Sequence, residues 1–364
     1  PMEQMNELGF YTLAGAPESP RELIAEVREA EELGIGAAFI SERFNIKEAA
    51  TLSGAVGAIS ERIGIATAAT NHNTRHPMVT AAYAMTMHQL TGGRFSLGVG
   101  RGIELATKAF GLRPITTAQM EDFVGLMRRV WAGEAVFGHD GPAGAYPVLA
   151  MRGIEPASIP TTLTAFGPNS LALGGRCFDA VVLHTFFTDE TTARVVGTVK
   201  EAAEQAGRDP ASVRVWSCFA TIGDHVPEPV RLKKTVGRMA TYLQGYGDLM
   251  VRTNDWDPAV LERFRSDPLV ANFSGALDHS ATTEQLEHVA TLIPEDWLAA
   301  AATGTPEQCV AAVRGQFELG CDGVILHGAS PSDLRPIVDE YRRTRPSGVF
   351  DDIPANPAGP RGTN

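Results

Sequence analysis

Polar side chains that can carry a proton follow several short apolar runs of this sequence, at the points where the runs end. The candidates for moving a proton or polarising an oxygen are Glu42, Arg43, His72, Glu104 and His184. A carboxylate or an imidazole can donate or accept a proton near neutral pH, and a guanidinium stabilises an oxygen that gains negative charge. The alternative for the adjacent Glu42 and Arg43 is a plain ion pair at the rim of the fold.

A glycine-rich stretch, TGGRFSLGVGRG at positions 91–102, indicates a place where a ligand meets bare backbone. It is not a dinucleotide-binding fingerprint, because that motif needs its glycines on a first strand-to-helix turn and an acidic residue after the next strand. Gly98, Gly100 and Gly102 instead end a predicted strand, where a flat ligand can approach without obstruction by side chains. We expect Gly100, Arg101 and Gly102 to contact a cofactor, and a tight turn is the alternative.

A second turn, formed by Gly167, Pro168, Asn169 and Ser170, opens a predicted helix. The free N–H groups and the dipole at a helix N-terminus suit a phosphate. Capping of the helix is the alternative reason for Asn and Ser at these positions. The turn is therefore a candidate phosphate site.

These residues need a scaffold, and a repeated phrase of the sequence indicates which one. The stretches FDAVVLH and CDGVILH are nearly the same heptad, and each follows a helical pattern and ends in a histidine. Helix, glycine, buried strand and polar strand end recur in folds with parallel strands. The predicted strands are 8–13, 36–41, 63–69, 94–99, 161–165, 179–184, 213–219 and 322–327. Helical patterns follow at 20–33, 47–60, 78–91, 117–132, 169–176, 189–206 and 331–344.

Eight such units predict an α/β fold, a (β/α)8 TIM barrel, with a doubly wound sheet as the weaker rival. Residues 1–345 form a single predicted domain, interrupted by insertions at about 133–160 and 224–304. Both insertions are expected at the C-terminal face of the strands, where catalytic groups of such barrels collect. Residues 346–364 are rich in Pro and Gly, which predicts a flexible tail.

Composition and charge limit the classes of molecule that this protein is expected to bind. With 43 acidic and 31 basic residues, the formal net charge is −12, which disfavours nucleic acid and anionic membrane surfaces. The four cysteines lie far apart and no leader pattern is present, so we expect reduced thiols in a cytoplasmic protein. No apolar run reaches the length of a membrane span. A small molecule is the expected partner, with no bound metal.

With these pieces in order, the chain resembles the bacterial luciferase-like superfamily, in its branch that uses the deazaflavin coenzyme F420. The resemblance covers roughly residues 5–345 and is carried by AAFISERF, by HPMVTAAYAMTMHQLTGGRFSLGVGRG, by ELATKAFGL and by ELGCDGVILHGASP. It implies hydride transfer without oxygen activation, and a homodimer formed through barrel helices. It also implies a non-proline cis peptide at about Thr67–Ala68, in a bulge behind the cofactor ring. The residues expected around the ring are Ser41, Thr67, Ala68 and Ala69.

Departures from the sugar-phosphate dehydrogenases of this branch bear on the substrate. Arg43 occupies the position of a catalytic histidine, and Phe187 aligns near a lysine that binds the substrate phosphate. Ile103 matches a catalytic glutamate, with Glu104 next to it. The resemblance therefore argues against glucose 6-phosphate and suggests a more apolar, unphosphorylated substrate.

Three other functions stay open from the sequence. An FMN-dependent monooxygenase of the same superfamily is the nearest, and a non-catalytic cofactor-binding protein is the second. A metal-dependent hydrolase on the same barrel is the third, with His72, His76, His184 and His327 as ligands. It ranks low, because its usual His-x-His on the first strand is missing.

Overall fold

A computed structural model describes residues 2–44 and 46–362, and in that part of the chain the strands form one large sheet and one hairpin. In chain order the strands are β1 (Met5–Tyr11), β2 (Ile35–Ile40), β3 (Gly64–Thr67), β4 (Phe95–Val99), β5 (Val136–Gly141), β6 (Gly144–Leu149), β7 (Thr161–Thr164), β8 (Ala180–Val182), β9 (Arg214–Gly223), β10 (Ala302–Gly304) and β11 (Gly323–His327).

Eight parallel strands close into a barrel in the order β1, β2, β3, β4, β7, β8, β9, β11 and back to β1. Most residues of these strands are buried, because side chains fill the barrel interior and helices cover its outside. The predicted (β/α)8 TIM barrel is confirmed, and each predicted strand overlaps an observed one. The short strand β10 extends the sheet beside the end of β9.

The helices lie outside the barrel or above its mouth. In chain order they are α1 (Glu22–Leu33), α2 (Ala49–Ile59), α3 (Pro77–Thr91), α4 (Glu104–Ala109), α5 (Thr117–Trp131), α6 (Pro168–Cys177), α7 (Asp189–Gln205), α8 (Glu228–Leu232), α9 (Arg238–Thr253), α10 (Pro258–Ser266), α11 (Pro268–Ala271), α12 (Leu277–Ser280), α13 (Thr283–Ala290), α14 (Glu295–Leu298), α15 (Pro306–Glu318) and α16 (Pro331–Arg343). A 3-10 turn spans Pro210–Ser212, and a π-helical turn, Lys233–Gly237, joins α8 to α9. Within residues 2–44 and 46–362, no helix combines the length and apolarity that a membrane crossing requires.

Both insertions carry secondary structure of their own. The first contains the hairpin β5–β6, which Asp122 of α5 anchors by accepting hydrogen bonds from His139 and the backbone N–H of Ala143 (both 2.9 Å). The second contains helices α8 to α14, which enclose a separate apolar core that includes the stacked pair Trp256 and Trp297. Helix α9 of this second insertion lies over the mouth of the barrel, as its contacts below show.

The C-terminal segment is ordered, so the expectation of a flexible tail is wrong for residues 346–362. Asn356 donates hydrogen bonds to the carbonyls of Gly93 and Phe95 (2.8 and 2.9 Å), at the start of β4. Trp216 donates to the carbonyl of Pro357 (2.8 Å), and Ile353 is 2% exposed. The segment therefore seals the N-terminal end of the barrel, because specific contacts outweigh its Pro- and Gly-rich composition. Thr363 and Asn364, the end of the predicted tail, lie outside the described residues.

Candidate active site

A cavity of about 750 Å³ opens at the C-terminal ends of β4, β7 and β8. That volume is in the range of pockets that hold cofactors and drug-sized ligands. Its walls come from the segment after β4, from the β7–α6 turn, from the end of β8 and from helix α9. The side chains and backbone used below are Arg101, Gly102, Glu104, Phe166, Gly167, Pro168, Asn169, Ser170, His184, Tyr246 and Arg252.

Part of the lining of this cavity suits an anion. Helix α6 starts at Pro168, and its N-cap, Gly167, supplies no side-chain hydrogen bond. The first-turn N–H groups of Asn169 and Ser170 are thus left without a capping side chain, and the helix dipole adds partial positive charge. Arg101 and Arg252 line the same cavity. In an acidic chain, this grouping of two guanidinium groups and a helix N-terminus suits a phosphate or a carboxylate.

The same cavity is lined by a histidine and a tyrosine in direct contact. The Nδ1 atom of His184 lies 2.8 Å from the carbonyl oxygen of Thr185, and a carbonyl only accepts, so Nδ1 carries the hydrogen. The neutral ring therefore accepts at Nε2, and Tyr246 donates its hydroxyl hydrogen there across 2.8 Å. Burial lowers the pKa of His184 to about 4 and raises the pKa of Tyr246 well above its usual value. At neutral pH the pair is thus an uncharged imidazole and an uncharged phenol.

Aromatic rings enclose this pair. The ring centroids of Phe166 and Tyr242 lie 4.5 and 4.7 Å from that of His184, and Phe187 lies 6.1 Å away. These rings exclude water and explain the lowered pKa, because burial disfavours the imidazolium. The place where sugar-phosphate dehydrogenases carry a lysine is therefore apolar here.

Tyr246 is the main site residue that the sequence reasoning missed. It lies in the second insertion, inside α9, at a kink where its backbone is not helical (φ −156°, ψ 42°). Gly245 and Gly247 flank it, and both weaken the helix locally. The signal was therefore present as Gly-Tyr-Gly within a helical pattern, but nothing in the sequence connected it to the end of β8. Arg252, one turn and a half later on the same helix, was missed for the same reason.

Glu42 is placed differently from the expectation, because its carboxylate is fully engaged inside the protein. It accepts hydrogen bonds from Thr70, Asn71, Arg75 and the backbone N–H of Ala49, at 2.7–3.1 Å. Its side chain is 3% exposed and does not line the cavity. The interaction with Arg75 joins the ends of β2 and β3 to α3. This geometry gives Glu42 a structural role and does not support it as the proton carrier.

The other three predicted catalytic residues lie in three different environments. His72 is 6% exposed, packs on Phe123 and is not part of the cavity wall; burial lowers its pKa. Arg43 is exposed on the loop after β2, with its charge near Tyr246. Glu104 lines the cavity at the start of α4 and forms an ion pair with Lys108. Of the five candidates, His184 and Glu104 thus reach the cavity, and a proton-handling role for His72 has no support.

The glycines within and just after β4 allow close packing of neighbouring strands. A Cβ at Gly98 would lie 1.6 Å from the carbonyl oxygen of Thr67, and one at Gly100 would lie 2.2 Å from Oγ1 of Thr164. The space at the Cβ positions of these two glycines is therefore filled by the protein, and contact of Gly100 with a cofactor stays a prediction. Gly102 differs, because it has a φ of +66°, open space around it and a place in the cavity wall.

The cis peptide is present, one bond later than expected, at Ala68–Ala69. The carbonyl of Ala68 accepts a hydrogen bond from the Tyr11 hydroxyl (3.0 Å), and β3 resumes pairing with β4 at Thr70. Thr67 binds the backbone of Gly98 with its hydroxyl, and Ser41 binds Lys47 (2.9 Å). Ser41, Thr67, Ala68 and Ala69 lie at the strand ends but outside the cavity wall, so their contact with a cofactor ring stays a prediction.

Comparison with known proteins identifies the family. A family model described as luciferase-like monooxygenase matches residues 5–323. The chain belongs to this family. A similar protein is the 5,10-methylenetetrahydromethanopterin reductase of Methanolobus tindarius, 24% identical over 301 residues, with 81% of this chain and 86% of that protein covered. Another is a phthiodiolone/phenolphthiodiolone dimycocerosates ketoreductase of Mycobacterium sp. (strain JLS), 28% identical over 244 residues, covering 62% of this chain and 60% of that protein.

Solved structures show the same luciferase-like fold. The coenzyme F420-dependent tetrahydromethanopterin reductase of Methanopyrus kandleri matches with a TM-score of 0.76 at 18% identity, covering 93% of this chain and 98% of that one. An F420-dependent secondary alcohol dehydrogenase matches with a TM-score of 0.71 at 16% identity, covering 95% and 100%. The family match and the reductases and dehydrogenase among the similar proteins together identify this luciferase-like chain as an oxidoreductase.

The hydrolase alternative finds no support in this luciferase-like barrel. His76 lies at the N-terminus of α3 beside Tyr146, His327 contacts Arg238, and His72 and His184 lie in the separate places described above. Within residues 2–44 and 46–362, no three His, Cys, Asp or Glu side chains are grouped so that they could share a metal ion.

The buried His184 of this luciferase-like protein predicts a specific loss of stability in acid. Its folded pKa of about 4 lies below the unfolded value of 6.5, so the unfolded chain binds a proton first as the pH falls. The free energy of unfolding should therefore drop by about 2 kcal/mol from this residue between pH 7 and pH 5. Urea unfolding of wild type and His184→Gln at both pH values measures the difference, since other histidines titrate in both proteins. Equal pH dependence in the two proteins would contradict the assignment.

Proposed function

We propose that this protein is a coenzyme F420-dependent oxidoreductase that transfers a hydride between the deazaflavin and a small, unphosphorylated organic substrate. The observation that carries the proposal is a single cavity lined both by the anion-binding groups and by the His184–Tyr246 pair. Similar proteins include an F420-dependent reductase and an F420-dependent alcohol dehydrogenase. We also propose that the protein is a homodimer, and this part of the proposal rests on the family resemblance alone.

The residues of the cavity fit this cofactor. Its phosphate and acidic tail need several positive groups in a row, and the start of α6, Arg101 and Arg252 supply them. Gly102 leaves open space in the wall, where a bulkier residue would project into the cavity. FMN carries a phosphate but no acidic tail, so a site with two guanidinium groups beside the helix N-terminus favours F420 over FMN.

When bound, the deazaflavin supplies or accepts a hydride at a ring carbon. The chain must then position the reacting carbon of the substrate within about 3 to 3.5 Å of that carbon and manage one proton. Tyr246 is the group that we assign to the proton, because it lines the cavity and its hydroxyl hydrogen, held by Nε2 of His184 in this structure, can turn to a substrate oxygen. His184 orients that hydroxyl through Nε2 and is held in turn by the carbonyl of Thr185. The Phe166 and Phe187 rings keep water from the pair.

Titration of the purified protein with F420 and with FMN, followed by fluorescence, tests the cofactor assignment. We expect F420 to bind at least about tenfold more tightly, and Arg252→Met to weaken F420 binding by about tenfold, because a charge-assisted contact is lost. Arg263→Met is the matched control, since Arg263 is an exposed arginine of α10 outside the cavity. Tighter binding of FMN, or an unchanged affinity in Arg252→Met, would contradict the proposal. A screen of alcohols and carbonyl compounds with bound F420 then identifies the substrate.

A further inference from the structure

Positive side chains converge on the other half of the barrel mouth, at the ends of β1, β2 and β11. Lys47 is 3% exposed, and its ammonium donates to the carbonyl of Leu13 and to Ser41 (both 2.9 Å). Arg238, from the start of α9, contacts His327 at the end of β11. Lys234 and Arg43 add charge from the insertion and from the loop after β2. We refer to Lys47, Arg238 and His327 as the basic cluster.

Hydrogen bonding leaves two donors of the basic cluster without partners. A guanidinium only donates, so His327 accepts from Arg238 at Nε2 and carries its own hydrogen at Nδ1. Within residues 2–44 and 46–362, no protein atom accepts from that Nδ1, nor from Nε of Arg238, although both atoms are buried. Buried polar atoms without partners are costly and uncommon in folded proteins. Two such donors on side chains in direct contact point to an acceptor that is not part of the chain.

The charge of the cluster is also not balanced. In the described part of the chain, neither Arg238, Lys47, Lys234 nor Arg43 forms an ion pair. Glu26 is near, but its carboxylate accepts from Thr12 and from the backbone N–H of Leu13, and Asp333 lies near Lys234. Burial and then the charges of Arg43 and Arg238 lower the pKa of Lys47 to about 8. Such an excess of positive charge, in a chain of net charge −12, is stabilised by an anion.

The geometry connects this cluster to the reaction site. Arg238, Tyr242 and Tyr246 are spaced four residues apart on α9 and share the face that covers the barrel mouth. Arg238 and Tyr246 are eight residues apart on this helix, and Tyr242, which also hydrogen-bonds Arg238, lies between them. Tyr242 lies 5.7 Å from Tyr246 and 4.7 Å from His184, measured between ring centroids. Arg238 is not part of the cavity wall, but Tyr242 joins it to Tyr246, which is.

We propose that the basic cluster binds a carboxylate of the substrate, so that the substrate is an organic acid whose carbonyl or hydroxyl lies at Tyr246. This inference rests on the proposed function, because it assigns the substrate class of that same site. It refines the expectation of an apolar substrate: the apolar part lies along Phe166 and Phe187, and the charged end lies at Arg238. The anion site at α6 stays with the cofactor.

Binding of a simple carboxylate tests the assignment without a cofactor. Hexanoate and its neutral counterpart hexanamide are titrated into the purified full-length protein by calorimetry. We expect hexanoate to bind at least about tenfold more tightly than hexanamide, and Arg238→Met to remove that difference, because the charge-assisted contact is gone. Arg238→Lys keeps the positive charge and should retain part of the preference for hexanoate over hexanamide. Lys233→Met is the matched control, since Lys233 is an exposed cation of the preceding turn.

Each outcome decides the question. Equal affinity for hexanoate and hexanamide in the wild-type protein overturns the proposal, and this arm stands even where Arg238→Met fails to fold. Loss of hexanoate binding in Arg252→Met with full binding in Arg238→Met also overturns it, because the carboxylate then occupies the helix N-terminus of α6. Since no cofactor is present, a failure here is separate from a failure to bind F420, which the fluorescence titration reports.

Discussion

Replacing Tyr246 with phenylalanine lowers the turnover number by about 10²- to 10⁴-fold, the usual contribution of a positioned proton donor or acceptor. The ring and its contacts with His184 and Tyr242 are kept, and only the hydroxyl is removed. The affinity for F420 should stay unchanged, because Arg101, Arg252 and the start of α6 are not altered. Steady-state kinetics with the identified substrate, together with the fluorescence titration, separates the two effects.

Tyr146→Phe provides the control for this variant. Tyr146 lies on the hairpin, binds the carbonyl of Ala143 through its hydroxyl and does not line the cavity, so its loss should leave turnover unchanged. Tyr246→Phe also leaves Nε2 of His184 without a donor, so a loss of about 1 kcal/mol in the free energy of unfolding is expected. A turnover number within about threefold of wild type would contradict the role of Tyr246. Glu104, which also lines the cavity, would then be the next candidate, tested by Glu104→Gln.

The parts of this site that the sequence predicted are those that follow barrel strands. His184 follows β8 directly, and the α6 turn follows β7, so the parallel arrangement alone places both at one end of the barrel. Tyr246, Arg238 and Arg252 lie on an insertion helix, whose position depends on its packing over the mouth. No local pattern encodes that packing, so these residues could not be assigned from the sequence.

Glu42 and the C-terminal segment show a second limit. Glu42 follows a strand just as His184 does, but four donors surround its carboxylate and remove it from the cavity. The composition of residues 346–362 predicts a flexible tail. The segment has no helix or strand, yet Asn356 attaches it to the barrel by hydrogen bonds to carbonyls at the start of a strand. In both cases the outcome is set by partners distant in the sequence, which neither composition nor periodicity reveals.

The role of each glycine in the run at 91–102 follows from the atoms around it. Gly98 should be the glycine of this run that tolerates substitution least. Gly98→Ala places a methyl group 1.6 Å from the carbonyl oxygen of Thr67, a backbone atom held between two strands. Because neither β3 nor β4 can shift without disturbing the closed barrel, we expect a loss of at least about 3 kcal/mol in the free energy of unfolding, or failure to fold. Urea unfolding, or the yield of folded protein, measures the effect.

Two further glycines show whether this loss comes from packing or from a change of residue type. Gly125→Ala, on α5 with no atom near its Cβ position, should be neutral or slightly stabilising, because alanine favours a helix. Gly102→Ala meets no atoms either, but its φ of +66° should cost about 1 kcal/mol, and the added methyl group should weaken F420 binding. A stable Gly98→Ala protein with impaired cofactor binding would reverse the assignment, since Gly98 would then face the ligand and not the neighbouring strand.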